Sequence, residues 1–147
     1  MPKVTAVNNE ILYYRFDVDG DNFTSAGEAS VQTKRILRRV GFPPEAIKRV
    51  SIAMYEGEIN MVIHASGGVA ELYIEEDRVV IVLTDHGPGI ENVELAMQEG
   101  YSTAPDNIRS LGFGAGMGLP NMKRYTDGMG IETKVGEGTK ITMTVNV

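Results

Sequence analysis

The chain contains no cysteine and no tryptophan, and only two histidines among its 147 residues. Without thiols there are neither disulfides nor thiolate metal sites, and two histidines are too few for a histidine-rich metal centre. No apolar run approaches the eighteen or so residues that cross a bilayer. The opening MPKVTAVNNE lacks the apolar core of a signal peptide, so a cytoplasmic location without membrane contact is expected. Basic residues are the minority charge, 14 against 20 acidic, for a net charge of −6. Bulk electrostatics of that sign disfavours direct binding of nucleic acid. Internal repeats, low-complexity tracts and linker-like stretches are absent too.

What is present is ordinary for a globular protein: 42% apolar and 23% charged residues, in a length that suits one domain over residues 1–147 and can bury a core. ILYYRFDVDG has the aromatic and β-branched alternation of a strand. FTSAGEASVQTKRILRRVG reads as a helix capped by Thr24 or Ser25 and closed by Gly41. Within it Lys34 and Arg38, and likewise Arg35 and Arg39, fall on one side; the stripe is either a solvated face or a docking patch for an acidic partner. FPPEAIKRVSIAMYEGEINMVIHASGG reads as a longer helix, with Pro43-Pro44 at its start and Gly67-Gly68 past its end. VAELYIEED and RVVIVLTD form a hairpin turning near Glu76-Asp77. Residues 85–118 then hold seven glycines and two prolines, an irregular stretch of the length that binding loops and lids have. LPNMKRYTDG reads as a helix, IETKVGEG as strand and turn, and TKITMTVNV as a last strand. The expected fold class is α/β: a two-layer sandwich, its sheet mixed and mainly antiparallel, with helices on one face.

Three places could carry chemistry. On the long helix Glu56 and Asn60 are four apart and share a face, with His64 one turn further. A carboxylate and a carboxamide offer a proton acceptor and a hard oxygen ligand suited to Mg²⁺, although such pairs are also common as plain surface residues. DHGPGI follows a buried strand directly. Asp85 there can accept a hydrogen bond from an exocyclic amine, and Gly87 and Gly89 admit close backbone approach; a simple tight turn is the alternative. Finally GFGAGMG has four glycines in seven residues just before a helix. Bare N–H groups at a positive helix end make a phosphate cradle, or else a flexible loop. Neither the Walker A nor the dinucleotide glycine pattern is met.

In order, YEGEINMVIHA, DHGPGI, EGYSTAPDNIRSLGFGAGMGLPNMKRYTD and GEGTKITM resemble the N box, G1 box, lid with G2 box and final Gly-x-Gly-Thr of the GHKL (Bergerat-fold, HATPase-type) ATP-binding superfamily. Within it they are most similar to bacterial anti-sigma-factor and switch kinases, RsbW-like and RsbT-like. The resemblance implies an ATP-dependent serine/threonine kinase that uses ATP and Mg²⁺ and phosphorylates a STAS-domain anti-sigma-factor antagonist. A sigma factor or phosphatase would be a further partner and a homodimer one assembly. Sequestration of a sigma factor, or nucleotide binding without kinase activity, are its alternatives. By the same resemblance Glu56 is the general base and Asn60 the Mg²⁺ ligand, while Asp85 receives the adenine amine. Gly87, Gly89, Ile90 and Thr139 complete the adenine end. Gly112, Gly114, Gly116, Met117, Gly118 and Leu119 bind the phosphates, and Ser102 and Thr103 lie on a lid. The family has small or apolar residues between its Glu and Asn; here Gly57 and Glu58 stand there. Gly57 is expected to permit close packing. Glu58 is expected to point away from the pocket, toward a charged partner surface or at the expense of catalysis.

Overall fold

The computed structural model describes residues 3–8, 11–20, 26–98 and 118–147. Strands β1 (Lys3–Asn8) and β2 (Ile11–Asp19) come first, then helices α1 (Glu28–Val40) and α2 (Pro44–Ala65). Strands β3 (Gly67–Ile74) and β4 (Arg78–Asp85) follow, then the short helices α3 (Val93–Ala96) and α4 (Gly118–Arg124), and the hairpin β5 (Gly128–Lys134) and β6 (Gly138–Asn146) closes the fold. The sheet has six strands in the order β1-β2-β3-β4-β6-β5, and every pairing is antiparallel. Strand β1 was not anticipated: KVTAVN is a short run at the sheet edge, where little in the pattern separates a strand from a loop.

Alternate residues of the strands point to one side and meet the helices. Leu72, Val79, Ile81, Met143 and Val145 are fully buried there, opposite Leu37, Val50, Met54 and Met122. Four of the eight methionines, Met54, Met61, Met122 and Met143, fill this core, the adaptable packing role their thioethers suit. The layer order therefore matches the two-layer α/β expectation.

Local chemistry sets the joints. The C-cap of α2 is Ser66, at φ 59°, and β3 begins at the next residue, Gly67, at φ 101°. A side chain on Gly67 would run into the Val18 carbonyl at 2.3 Å, and one on Gly68 into the Thr84 carbonyl at 2.4 Å, so only glycine lets the helix pass into the sheet without a loop. Arg49 of α2 donates to the Tyr125 carbonyl at 3.2 Å and to Asp127 at 2.9 Å. This ties the chain just past α4 to the first half of α2.

Thr24 and Ser25, the expected caps of α1, lie outside the described residues; the helix starts at Glu28 behind Gly27, and no side chain of Gly27 can cap it. The cap comes from another helix instead. Glu58, only 2% exposed, accepts from the N–H groups of Gly27 and Ala29, both at 3.1 Å, and of Ser30 at 2.7 Å. It does point away from Glu56 and Asn60, but it contributes nothing to a charged partner surface, because it is consumed inside the fold. Burial pushes its carboxyl up, and the three N–H donors pull it back. The negative charge also lies at the positive end of α1.

Removing that acceptor leaves buried donors without partners. Glu58→Ala is expected to lower stability by about 2–3 kcal/mol in urea unfolding, with Glu58→Gln intermediate; a change within 0.5 kcal/mol, on the order of an ordinary surface substitution, would refute the cap. A second expectation concerns acid. The Asn146 N–H and the Arg49 guanidinium hold Asp127 below the usual carboxylate range, so its contribution is complete above that range and fades as pH falls through the lowered value. Asp127→Asn should thus melt below the parent at neutral pH, with the gap closing in strong acid; a gap independent of pH would contradict the pairing.

Candidate functional site

Glu56, Asn60 and His64 rise on successive turns of one face of α2 and are all partly buried. The first turn of α4 abuts the lower two. A methyl group placed on Gly118 would sit 3.8 Å from Glu56 Oε2 and 3.8 Å from Asn60 Oδ1, so two oxygen donors converge on bare backbone. Burial pushes the Glu56 carboxyl up, while a hydrogen bond from Asn121, on α4, draws it down. A half-buried carboxylate with a raised affinity for protons, beside a carboxamide oxygen, can accept a proton and can share a hard cation. Among the described residues no group of three or more His, Cys, Asp or Glu could hold a metal ion by itself.

The upper end of the same helix face meets the end of β4. Asp85, 8% exposed, accepts through Oδ1 from the N–H of Gly87 at 3.0 Å and of Thr139 at 3.2 Å. Neither bond uses Oδ2. The loop after it is laced to the β5–β6 hairpin. Ile90 N–H donates to Thr133 Oγ1 at 2.9 Å, Thr133 and Thr139 share a hydroxyl bond at 2.9 Å, and Gly136 N–H donates to the Pro88 carbonyl at 2.9 Å. The space that Gly87 and Gly89 leave is taken by protein: side chains there would meet Ala65 of α2 at 2.6 Å and the Lys134 carbonyl at 2.5 Å. Gly138, at φ 132°, lies equally close to the Asp85 carbonyl, 2.2 Å from where its Cβ would be. His64 stands near this cluster. Burial lowers its affinity for a proton, and the Asp85 charge partly restores it.

Two clusters thus share one helix face: Glu56, Asn60 and Gly118 below, Asp85 with Gly87, Gly89, Ile90 and Thr139 above. A hollow of about 320 Å³ borders Asp85 and Thr139 from the β5–β6 side; Glu56 and Asn60 are not among its lining residues. The Leu119 side chain is in the core, 6% exposed, which leaves only its backbone for a ligand. Gly112, Gly114, Gly116, Met117, Ser102 and Thr103 lie outside the described residues. Sequence reasoning missed Thr133 and Asn121. Thr133 had a faint signal, since it is the cross-strand partner of Thr139; Asn121 had none, because its neighbour Glu56 is far away in sequence. Gly57 does permit close packing: a methyl there would lie 2.2 Å from Leu83 Cδ1.

Residues 22–145 match the family model described as the histidine kinase-like ATPase domain. Among curated proteins the chain is 38% identical to an anti-sigma F factor of Clostridium acetobutylicum over 104 residues, 67% of this chain and 69% of the relative. It is 30% identical to the serine/threonine-protein kinase RsbT of Bacillus subtilis over 112 residues, 74% of this chain and 78% of that one. An anti-sigma F factor of Pasteuria penetrans is 30% identical over 132 residues, 82% and 85% of the two chains.

Thr133 Oγ1 is the knot of the upper cluster, bonded to Ile90, Thr139 and the Gly138 carbonyl. Thr133→Val, equal in shape, is expected to cost about 1–3 kcal/mol and to speed hydrogen exchange at the Ile90 amide about tenfold or more. Unchanged protection at Ile90 would mean that the loop is held by other contacts.

Proposed function

This chain belongs to the histidine kinase-like ATPase family of the GHKL superfamily, alongside anti-sigma F factors and the RsbT kinase, and from that premise we propose that it is an ATP-dependent serine/threonine kinase. Its protein substrate would be a STAS-domain anti-sigma-factor antagonist in a partner-switching pathway. The observation that carries the reading is the convergence of Glu56 Oε2 and Asn60 Oδ1 on the first residue of α4. A base and a metal ligand belong side by side at the γ-phosphate of a nucleotide, whose adenine would then lie toward Asp85, near the His64 end of the same helix.

The residues suit each end of such a ligand. Asp85 Oδ2 would accept from the adenine amine while Oδ1 stays bonded to Gly87 and Thr139. Ile90 and Thr139 would line the ring, and the glycines up to Gly118 would offer N–H donors to the phosphates. Asn60 is the candidate Mg²⁺ ligand; a carboxamide oxygen with the phosphates and water is a common way to hold this cation. When bound, Mg²⁺ neutralises charge on the phosphates. Glu56 would take the proton of the substrate serine or threonine as its oxygen bonds to the γ-phosphorus. The bond from that phosphorus to the β–γ bridging oxygen breaks, and ADP leaves.

A second reading has its own support. Lys34, Arg35, Arg38 and Arg39 are all exposed on α1, and Val31 beside them is 50% exposed, in a chain whose net charge is −6. A cationic face with an apolar spot fits capture of an acidic protein surface, the behaviour of a sequestering anti-sigma factor.

Mg-ATP is expected to raise the melting temperature, as a ligand selective for the folded chain must; no shift at millimolar ATP would remove the nucleotide reading. Glu56→Gln should keep that shift and lose phosphorylation of STAS proteins by roughly 100-fold or more, and full activity would refute the base. With labelled ATP, capture of a sigma factor without labelling of any STAS protein would decide for sequestration.

A further inference from the structure

Tyr55, next to Glu56 on α2, is 39% exposed and has no part in the chemistry proposed for its neighbour. Adjacent residues on a helix point about 100° apart. Glu56 faces Gly118 of α4, whereas Tyr55 faces the start of α1: a methyl group on Gly27 would lie 3.1 Å from Tyr55 Cε1 and 3.3 Å from Cδ1. The ring rests against bare backbone there while much of it stays open to solvent. From it a stripe runs along α1. Val31 is one turn beyond Gly27, its N–H donating to the Gly27 carbonyl at 3.0 Å, and is 50% exposed. Lys34, Arg35 and Arg38 follow on the same side, all exposed, and among the described residues no acid forms an ion pair with them. The one acidic residue of α1 is Glu28, in its first turn. The stripe is thus apolar near Glu56 and cationic away from it.

We propose that Tyr55, Val31, Lys34, Arg35 and Arg38 form the docking surface for the protein substrate, a folded protein with acidic residues beside an apolar spot and its phosphoacceptor hydroxyl on the apolar side. On the kinase reading, on which this inference rests, the basic face of α1 is not a separate trap but the handle that brings the hydroxyl to Glu56. Tyrosine and arginine concentrate binding energy at interfaces, since each buries a large area and keeps a polar end. Unpaired cations steer an acidic partner and fix its register. A nucleic acid would meet the net charge of −6 on the rest of the encounter. A second copy of the chain centred on this face would set the same cations against each other.

The test is steady-state phosphorylation by the full chain, with Mg-ATP and the STAS-domain protein that the parent labels, alongside sedimentation of every variant. Tyr55→Ala and the double variant Lys34→Glu with Arg38→Glu are each expected to raise KM for the STAS protein about tenfold or more. KM for ATP and kcat at saturating substrate should stay nearly unchanged, because binding shared by ground state and transition state appears in KM. Tyr55→Phe, which keeps the ring, should remain near the parent. Added salt should raise KM of the parent more than that of the double variant. A KM for the STAS protein unaltered in both Tyr55→Ala and the double variant, while the parent is active, overturns the docking surface alone. A rise in KM that goes with loss of a dimer in sedimentation gives the face to a second copy and overturns it as well. A parent chain that binds Mg-ATP yet phosphorylates no STAS protein removes the kinase reading and this substrate surface with it.

Discussion

At the middle of the sheet α2 comes close enough to β4 that the bare Cα of Gly57 faces Leu83. A single added methyl would be 2.2 Å from the Leu83 side chain, and both residues are buried. Glycine in a helix interior costs about 1 kcal/mol relative to alanine, and here it goes with a close approach of α2 to the Leu83 side chain. Leu83 stands two residues before Asp85 on β4, and Gly57 stands between Glu56 and Asn60. The contact therefore lies between the two clusters of the candidate site as well as within the core.

Glu56 and Glu58 show how position on a helix divides one chemistry into two roles. Two residues apart, they face different directions. Glu58 turns inward and spends its acceptors on the first N–H groups of α1, which makes it part of the frame. Glu56 turns toward Gly118 of α4 and is only partly buried. The same frame joins α1, with its basic outer face, to the helix that carries the proposed base and metal ligand. Surface that a partner could grip and side chains that could do chemistry are thus connected through a buried carboxylate, helped by the bond from Ser30 to the Ser51 carbonyl.

Much of this was legible in the residues. The short apolar run RVVIVLTD and the alternation in TKITMTVNV gave β4 and β6, the pattern from Pro43 to Gly67 gave α2 nearly to the residue, and the spacing Glu56–Asn60 and the run DHGPGI marked the two clusters. What escaped had no local signature. A helix cap drawn from another helix cannot be seen in the segment it caps, so α1 looked as though it needed Thr24 or Ser25. Asn121 and Thr133 acquire meaning only through neighbours 65 and 43 positions away. β1 gains its place from pairing with β2, and a six-residue edge strand has too little pattern to announce itself. Glu58 was read as an anomaly because its sequence neighbours are polar and functional, whereas its spatial neighbours are backbone amides.

The passage from α2 into β3 through Ser66, Gly67 and Gly68 has a mechanical consequence. With no slack between helix and strand, and with carbonyls of β2 and β4 crowding both glycines, there is no hinge at that joint. Tilting α2 would drag the middle of the sheet along, so the rigid body that bears Glu56 and Asn60 is the sheet itself. No change in the tilt of α2 against the sheet can therefore be taken up by bending at this joint.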